Sequence, residues 1–381
     1  MINKILKLGF VALSIVLADS DPSRITILAT TNVHGEVDPC GWKKKPLGGL
    51  ARKATIIENL IKNGDVPIVL DAGDLFFKSS DIDPGISLDV AKVNAEIINE
   101  SFNAMGCDGF SPGSKDFAAG LDFLMTQYNN AEFPYISCNI ANLDNELLFK
   151  PYVIKSIKGM KIGIIGLASE FESDEIKVLN PIESLQNIID EVQVQSDFII
   201  LLFNSKQQDL SKLYSFNLDI DLIISSKGRT RSSDGGSKIP TFIAGDRGKI
   251  VYKFDLNLVD NELPLVDIAW CENTISRVND RLNKMKQGDV NANLQSLYKN
   301  DKSTLNKISK YESQIDNAHQ LLENAINILE FEKIELGKTI FDRTDILKIV
   351  DRGKQKILEM GGPMLDDKGR LPEDPHHGHT H

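Results

Sequence analysis

The chain has 381 residues, enough for one large domain or two ordinary ones, and 41% of them are apolar and 25% charged, as in a soluble globular protein. Its formal net charge of −11 argues against nucleic acid as the main partner, because phosphate backbones attract basic surfaces. The charge does not exclude a small local site for an anion.

The N-terminal segment, residues 1–18, has the pattern of a secretory signal peptide. Lys4 and Lys7 give it a positive start, and the apolar run LGFVALSIVLA that follows is too short to span a bilayer comfortably. Val16-Leu17-Ala18 is an acceptable cleavage site. We therefore expect export, a periplasmic or extracellular location and no membrane span after cleavage. An uncleaved N-terminal anchor is the alternative.

Residues 24–257 are predicted to form an α/β domain. Short apolar runs such as ITILAT (25–30), PYISCNI (134–140) and KIGIIGLA (161–168) read as strands, and amphipathic stretches such as GLARKATIIENLIK (49–62) lie between them. This alternation is typical of largely buried sheets. In such domains, ligands bind beyond the carboxyl ends of the strands, where the loops gather.

The cysteines are widely spaced and lack the CxxC spacing of a zinc ribbon or a haem attachment site. In an oxidising compartment one or two disulfides could form among them, and a simple core position is the alternative for the second and third; the four are Cys40, Cys107, Cys138 and Cys271.

The C-terminal part has a different pattern. After a predicted connecting strand (258–272), apolar residues at heptad-like steps predict a helical hairpin, coiled-coil in style, over 273–331. These residues are Ile275, Val278, Leu282 and Met285, then Leu305, Ile308, Ile315, Ala318, Leu322, Ala325 and Leu329. A small strand–helix unit (332–365) and a His-rich flexible tail (366–381) follow. The hairpin either packs on its own domain or binds a protein partner or a second copy, and we favour association.

Polar loops follow the predicted strands of the α/β domain in a recognisable order. They are TTNVHG (30–35), DAGD (71–74), PGSKDF (112–117), LLFNS (201–205) and ISSKGRT (224–230). The order resembles that of the calcineurin-like metallophosphoesterases, and most closely the 5′-nucleotidase/UDP-sugar hydrolase-like branch with its periplasmic members. The resemblance covers residues 25–256. It implies a sandwich of two mixed sheets flanked by helices, and hydrolysis of phosphate esters at a centre of two metal ions.

Such a centre holds two divalent cations roughly 3.5–4 Å apart with carboxylate and imidazole ligands. The resemblance implies that these come from an Asp-x-His, a Gly-Asp pair, an Asn-His pair, a lone His and a His-x-His. In this chain the motifs fall on Asn32-Val33-His34, Gly73-Asp74, Ser114-Lys115, Asn204 and Lys227-Gly228-Arg229. Of these motif ligands only His34 and Asp74 remain, and no other histidine precedes residue 319. We therefore expect no metal in the α/β domain and no catalytic residue.

The replacements themselves suggest two hypotheses. Lys115, Lys227 and Arg229 carry positive charge toward the place where the family holds its metal ions. They either form a structural salt-bridge network with Asp74, or, together with Arg231, they form a site for a small anion. His34 alone is more typical of a hydrogen-bonding turn residue, and GGLARKA (48–54) predicts a turn entering a helix with its two basic side chains in solvent.

The tail carries four histidines in six residues, His376, His377, His379 and His381. Imidazoles this close together bind divalent metals such as Zn²⁺, Ni²⁺ or Cu²⁺ without any fold. Contact with a metal-carrying or haem-carrying partner is one hypothesis for this segment, and a solvated tail with incidental metal affinity is the other.

Taken together, the sequence predicts an exported, catalytically inactive metallophosphoesterase-like protein that acts in binding or as a structural component of an envelope or extracellular assembly. The first alternative is a metal-dependent phosphohydrolase of the 5′-nucleotidase type, in which His34, Asp74 and further ligands hold a metal. The second is an interaction with a metal or a haem partner through the tail.

Overall fold

The computed structural model describes residues 24–41, 44–80, 82, 86–216, 218–227, 239–243, 245–260 and 263–362. The predicted signal peptide, Arg229, Arg231 and the four tail histidines lie outside the described residues. Among the described helices, none is long and apolar enough to cross a membrane.

Strands and helices alternate along most of the described chain. The strands are β1 (Arg24–Thr30), β2 (Pro39–Cys40), β3 (Leu47–Gly48), β4 (Ile68–Asp71), β5 (Gly109–Phe110), β6 (Ile140–Ala141), β7 (Tyr152–Ile157), β8 (Met160–Ala168), β9 (Lys177–Val178), β10 (Phe198–Asn204), β11 (Leu222–Ser225), β12 (Thr241–Ile243), β13 (Ile250–Asn257), β14 (Leu265–Asp267) and β15 (Asn327–Glu335). The helices are α1 (Leu50–Lys62), α2 (Ile86–Met105), α3 (Leu121–Asn130), α4 (Pro181–Gln195), α5 (Gln207–Leu213), α6 (Ile268–Met285), α7 (Leu294–Leu297), α8 (Lys302–Glu323) and α9 (Thr344–Glu359), with a 3₁₀ turn at Ser114–Phe117.

Two mixed sheets form the centre of the fold. The six-stranded sheet has the order β14-β15-β13-β1-β4-β5 and the five-stranded sheet the order β12-β11-β10-β8-β7. In the first sheet β1 runs parallel to β4 and antiparallel to β13, and in the second β8 runs parallel to β10 and antiparallel to β7. The predicted α/β architecture with mixed sheets flanked by helices is confirmed.

Period-two alternation of apolar side chains explains the layers. Ile25 and Ile27 of β1 point to a core shared with Ile164 of β8 and Ile200 of β10, which joins the two sheets face to face. Leu28, which follows the two isoleucines of β1, instead packs in a core lined by α1, α2, α3 and α9. A third core lies between the five-stranded sheet and α4 and α5. The result is a four-layer arrangement of helix, sheet, sheet and helix.

The segment predicted as a strand over 134–140 is only partly regular. Among its residues, β6 takes only Ile140, and the rest makes isolated bridges, Tyr135 to Phe110 and Ile136 to Lys150. This segment crosses between the two sheets, where Cys138 donates its N–H to the carbonyl of Gly166 over 2.9 Å. A side chain at Gly166 would place its Cβ 1.9 Å from the carbonyl oxygen of Ile136. The close approach of two backbones therefore requires glycine here.

The C-terminal region contains a helical hairpin whose bounds differ from the predicted 273–331. Its first helix, α6, begins at Ile268, inside the predicted connecting strand (258–272), of which β14 takes Leu265–Asp267. Val278 and Leu282 of α6 pack against Leu294 and Ile308, so the predicted apolar positions do face one another. The predicted pattern is wrong at its end, because α8 stops at Glu323 and Leu329 lies in β15. The run NILEFEKIE pairs antiparallel with β13 along eight residue pairs. The coiled-coil character of the hairpin stays a prediction.

The predicted boundary between 331 and 332 falls inside β15, which lies within the six-stranded sheet between β13 and β14. After β15, α9 returns to pack on α1 and α2, with Ile346, Val350 and Ile357 in the same core as those helices. All four cysteines lie among the described residues and are buried, and no disulfide links them there.

The close approach at Gly166 gives a test of the packing of the sandwich. We expect Gly166→Ala to lower the free energy of unfolding by about 3 kcal/mol, because the added methyl group collides with a backbone carbonyl that cannot move aside. Urea unfolding followed by circular dichroism measures the change. The matched control is Gly337→Ala, where the nearest atom to the new Cβ lies at 3.7 Å and the change should stay within about 0.5 kcal/mol. Equal stability of the two variants would contradict this account.

Candidate functional site

The loops after parallel strands meet at one edge of the sandwich. A first loop (31–35) follows β1, a second (72–75) follows β4 and a third (111–117) follows β5, and these three strands are neighbours in the six-stranded sheet. The end of β10 at Asn204 and the residues after β11 come from the second sheet. The loops that the sequence singled out are therefore brought together.

The first and second loops are held side by side by backbone hydrogen bonds. The N–H groups of Asn32, His34 and Gly35 donate to the carbonyls of the second loop over 2.8, 3.0 and 3.0 Å. Asn32, His34 and Asp74 adopt φ values of 53°, 58° and 54°, in the left-handed region that non-glycine residues rarely occupy. Such backbone strain persists only where the surroundings over-determine it, and it clusters at functional sites.

Asp116 fastens the second loop to the third, and sequence analysis missed it. Its fully buried carboxylate accepts N–H groups from Gly113, Asp74, Leu75 and Phe76 at 2.8 to 3.0 Å. Burial, followed by the charge of Asp74, raises the pKa of Asp116 to about 8, although the N–H donors favour the ionised form. The available signal was an acidic residue three positions after a glycine, a pattern that caps a helical turn.

Lys115 points its ammonium group into the space between the two surviving motif residues. Its Nζ lies 3.1 Å from Oδ2 of Asp74 and 2.9 Å from Nε2 of His34. Asp74 is fully buried, and the side chain of Lys115 is 21% exposed. Burial, and next the positive charge of Lys115, lowers the pKa of His34 to about 4. His34 is therefore neutral at physiological pH and accepts the hydrogen bond that Lys115 donates.

The amide side chains of Asn32 and Asn204, at two of the motif positions, differ in their hydrogen bonding. Nδ2 of Asn32 donates to the carbonyl of Ser226 over 2.7 Å, which links the first loop to the second sheet. Asn204 is buried, and its Nδ2 has no hydrogen-bond partner among the described residues. That nitrogen lies 2.3 Å from where a Cβ on Gly113 would be, so the third loop and Asn204 approach as closely as glycine allows.

The other described motif positions, Ser114 and Lys227, lie near the site, but the structure shows no contact between their side chains and His34 or Asp74. Ser114 is half-buried at the start of the 3₁₀ turn. Lys227 is exposed, and its carbonyl accepts hydrogen bonds from the hydroxyls of Ser205 and Ser225. The structure thus gathers Asn32, His34, Asp74, Lys115 and Asn204 and leaves the side chain of Lys227 in solvent.

A second lysine, Lys53 of α1, is buried next to the site. The sequence had predicted that the basic side chains of GGLARKA (48–54) lie in solvent, and this prediction was wrong. Arg52 and Lys53 of α1 are buried, at 9% and 4% exposure, and do not lie in solvent. Nζ of Lys53 donates to the hydroxyl of Thr30, which in turn donates to Asp71 over 2.6 Å. The ammonium also lies 4.1 Å from the centre of the Phe102 ring, a cation–π contact. The helical periodicity of α1 points both residues inward at its first turn.

Burial also shifts the pKa values of Lys53 and Asp71. It raises the pKa of Asp71 to about 6, against the opposing charge of Lys53, and it lowers the pKa of Lys53. Asp71 accepts the N–H of Gly73 as well, so it orients the second loop.

The residues present do not fit a two-metal centre. Within the described part of the chain, no group of three or more His, Cys, Asp or Glu side chains is arranged to hold a metal ion. His34 and Asp74, which could serve as ligands, face an ammonium group that already occupies the space between them. At this edge of the sandwich an ammonium, an imidazole and a carboxylate therefore contact one another.

Two sheets packed face to face, with polar loops gathered at the ends of their parallel strands, define the metallophosphoesterase class of fold. Among solved structures, a 5′-nucleotidase precursor from Thermus thermophilus matches with a TM-score of 0.61 at 15% identity, covering 90% of this chain and 60% of that one. The calcineurin-like phosphoesterase YfkN from Bacillus subtilis matches with a TM-score of 0.58 at 18% identity, covering 88% of this chain and 98% of that one.

Sequence relatives point the same way. UshA from Salmonella pullorum is 31% identical over 162 residues, which is 42% of this chain and 27% of that protein. A 5′-nucleotidase from Vibrio parahaemolyticus is 30% identical over 161 residues, with the same two coverages. These relatives and solved structures support a resemblance of the chain to the calcineurin-like metallophosphoesterases of the 5′-nucleotidase/UshA-like family. The match spans only 27% of the length of these relatives, and no family model matches the chain.

The proximity of Lys115 and His34 predicts a measurable change in titration. We expect Lys115→Met to raise the pKa of His34 from about 4 toward its ordinary value, since the substitution removes a positive charge while Asp74 and Asp246 remain. The imidazole resonances of His34, followed by NMR against pH, give the value. Lys227→Met is the control, because this exposed lysine is not among the charges that shift the pKa of His34. An unchanged titration in Lys115→Met would contradict the contact.

The same shift has consequences for stability. The unfolded chain takes up a proton on His34 near pH 6.5 and the folded chain near pH 4, so the free energy of unfolding should fall as pH falls through this interval. We expect His34→Gln to lack this part of the pH dependence in urea unfolding between about pH 4 and 7. Curves for variant and wild type that stay parallel would refute the assignment.

Proposed function

We propose that the chain is a catalytically inactive phosphoesterase-like protein, which acts by binding or as a structural component of an envelope or extracellular assembly. The observation that carries this proposal is the position of the Lys115 ammonium, 3.1 Å from Asp74 and 2.9 Å from His34. A cation that belongs to the chain itself occupies the place where a phosphoesterase needs metal ions.

Catalysis at a two-metal centre requires both cations, since together they clamp the attacking and leaving oxygens of the phosphate ester. Each ion needs anionic and imidazole ligands. Here the carboxylate of the first motif is the amide of Asn32, which donates a hydrogen bond to Ser226. The two imidazoles of the last motif are replaced by Lys227 and Arg229. The ligands that remain would support one weakly held ion at most.

The structure supports the two hypotheses for the basic residues at the motif positions, a salt-bridge network or an anion site, to different degrees. The ammonium of Lys115 contacts Asp74 and His34, which favours a structural salt bridge. If Lys115 turned away to bind an anion, the buried carboxylate of Asp74 would lose its opposite charge. An anion site would have to draw on Lys227, Arg229 and Arg231, with Lys115 only partly available. We therefore favour the structural reading and keep the anion site as its rival.

The remaining parts of the proposal concern where the protein acts and with what. Export rests on the signal-like residues 1–18. Association with a protein partner or a second copy rests on the heptad-like sequence pattern of 273–331 alone, since the buried apolar residues of α6 and α8 pack against each other within the hairpin. Metal or haem-partner binding by His376, His377, His379 and His381 is a further proposal of its own.

The relatives favour a second candidate, an active metal-dependent phosphohydrolase of the 5′-nucleotidase type. They include proteins named 5′-nucleotidase, and a trifunctional nucleotide phosphoesterase protein, YfkN from Bacillus subtilis, is 24% identical over 227 residues. In this candidate, Lys115 would have to leave the space between His34 and Asp74 before a metal could enter. The family resemblance supports this reading, whereas the chemistry of the site supports the inactive one.

The deciding measurement is metal content together with turnover. We expect the full chain, with its four tail histidines replaced by alanine, to purify without stoichiometric metal and to hydrolyse neither nucleotides nor phosphodiesters with added Mn²⁺ or Zn²⁺. Elemental analysis and phosphate release measure both quantities. One or two metals per chain with turnover above that of an Asp74→Asn variant would overturn the inactive reading and establish the phosphohydrolase.

The anion site has its own test. We expect calorimetric titration with phosphate or a nucleotide to give no binding at concentrations up to about 1 mM, which corresponds to a binding free energy weaker than about −4.1 kcal/mol. Binding that is lost in Lys227→Ala but kept in Lys206→Ala, an exposed lysine that follows β10, would instead support the anion site.

A further inference from the structure

The helical hairpin of α6 and α8 carries its charges in two separate halves. Its distal half, residues 277–310, holds eight basic and three acidic residues and so has a net charge of +5. The whole chain carries −11, so everything outside this half sums to −16. The basal half, residues 268–276 and 311–323, contains four acidic residues and no lysine or arginine. We call residues 277–310 the basic arm.

The basic side chains of the arm face solvent. Of the eight, only Lys286 is half-buried, and the other seven are exposed. Arg281 and Lys307 lie over the same ring, that of Tyr311, at 5.8 and 5.9 Å, so α6 and α8 both add charge to one side of the arm. Lys302 comes five residues before Lys307 and therefore points to another side of α8. The exposed seven are Arg277, Arg281, Lys284, Lys299, Lys302, Lys307 and Lys310.

Helix stability does not explain this distribution. The N-terminus of a helix favours negative side chains and the C-terminus favours positive ones. In α8 the first turn contains Lys302 and no acidic residue, and the last turn contains Glu323 and no basic residue. The N-cap, Asp301, has the favourable sign, and its carboxylate accepts the N–H of Thr304 over 3.0 Å. Departures from such a local rule are expected where side chains serve binding.

The arm has a small core of its own. Its buried apolar residues cluster with one another and, within the described chain, with no residue outside the hairpin. Lys310 precedes Glu323 by 13 residues, which is about 20 Å along the axis of α8. That separation exceeds the Debye length of about 8 Å at physiological ionic strength. Salt therefore screens the positive arm from the acidic C-terminal end of the same helix.

The tip of the arm, residues 286–301, exposes apolar side chains among its lysines. Val290 is 78% exposed and Leu297 is 43% exposed. Nζ of Lys286 donates to the carbonyl of Val290 over 3.0 Å, which holds this turn in place. An apolar tip with ammonium groups around it matches the chemistry of the boundary between phospholipid headgroups and acyl chains.

We propose that the basic arm docks the protein on a membrane surface that contains anionic phospholipids. The lysine and arginine side chains bind the headgroup phosphates, and Val290 and Leu297 enter the layer beneath them. A lipid surface fits better than an acidic protein, because the cations point to several sides of the arm and the apolar residues lie at its tip. The arm contains no residue of the candidate site, so the proposal stands whether or not the chain is an enzyme.

The test measures binding of the full chain to vesicles of two compositions. One contains phosphatidylcholine alone, and the other also contains about 30% of the anionic lipid phosphatidylglycerol. We expect co-sedimentation at low salt to give at least about tenfold stronger binding to the anionic vesicles. Binding should weaken as salt is added, because the charges are then screened.

Two variants with the same change in net charge separate the arm from the rest of the surface. The arm variant reverses three exposed lysines of the arm, Lys299→Glu, Lys302→Glu and Lys307→Glu. The control reverses three exposed lysines of the α/β domain, Lys150→Glu, Lys177→Glu and Lys206→Glu. The arm variant should bind anionic vesicles at least about tenfold more weakly than wild type, and the control should stay within about twofold. Residues 1–18 are the same in both, so the difference reports the arm alone.

A third variant, Val290→Ser/Leu297→Ser, keeps every charge and removes the apolar side chains of the tip. It should bind anionic vesicles about fivefold more weakly than wild type, and the loss should persist at high salt because burial of apolar surface is not screened. All of these positions are exposed, so the thermal midpoints of the variants should stay within about 2 °C of wild type.

Equal binding by the arm variant and the control overturns the proposal, and so does a wild-type chain that shows no preference for anionic vesicles. Sedimentation velocity at the same salt concentration examines the rival occupant, an acidic surface on a second copy of the chain. If the arm variant dissociates a wild-type dimer while its vesicle binding is unchanged, the arm binds a second copy and the lipid proposal is wrong.

Discussion

Burial of Asp71, Asp74 and Asp116 at one edge of the sandwich is the constraint around which the site is built. Moving a carboxylate out of water is unfavourable unless it gains hydrogen bonds or an opposite charge. The chain meets this requirement in three different ways. Asp116 takes backbone N–H groups, Asp71 takes a hydroxyl relayed from Lys53, and Asp74 takes the ammonium of Lys115. The positions of the three loops follow from these contacts.

The sheet architecture could be predicted from the sequence because its determinants are local. Period-two alternation in β1 and continuous apolar runs in β8 and β10 identify buried strands without knowledge of their partners. The order of the loops then placed His34, Asp74 and Asn204 at the same edge, and the structure brings them together there. Pairing of Lys115 with Asp74 was one of two hypotheses drawn from the family resemblance, and the structure places the Lys115 ammonium 3.1 Å from the Asp74 carboxylate.

What the sequence could not supply depends on contacts between distant segments. The heptad steps continue to Leu329, but pairing with β13 determines the conformation of that stretch, so β15 is a strand. Lys53 reads as a solvated lysine until the helix is seen to face Thr30 and Phe102. Asp116 reads as an ordinary turn residue until four N–H groups from two loops converge on it. In each case tertiary packing overrides the local pattern.

The scaffold and the chemistry of a metal site are separable properties of this fold. Backbone hydrogen bonds between the first and second loops and the carboxylate of Asp116 hold the loops through groups other than the side chains at the motif-ligand positions. These features can persist when ligand side chains are exchanged, provided that the buried charge of Asp74 is still balanced. A lysine in the third loop satisfies that condition with a single side chain, because its ammonium carries the charge and its backbone is already fixed beside Asp74. The arrangement of the loops therefore does not depend on metal-ligand side chains, and the proposal of an inactive protein rests on the identity of residue 115 and not on the architecture.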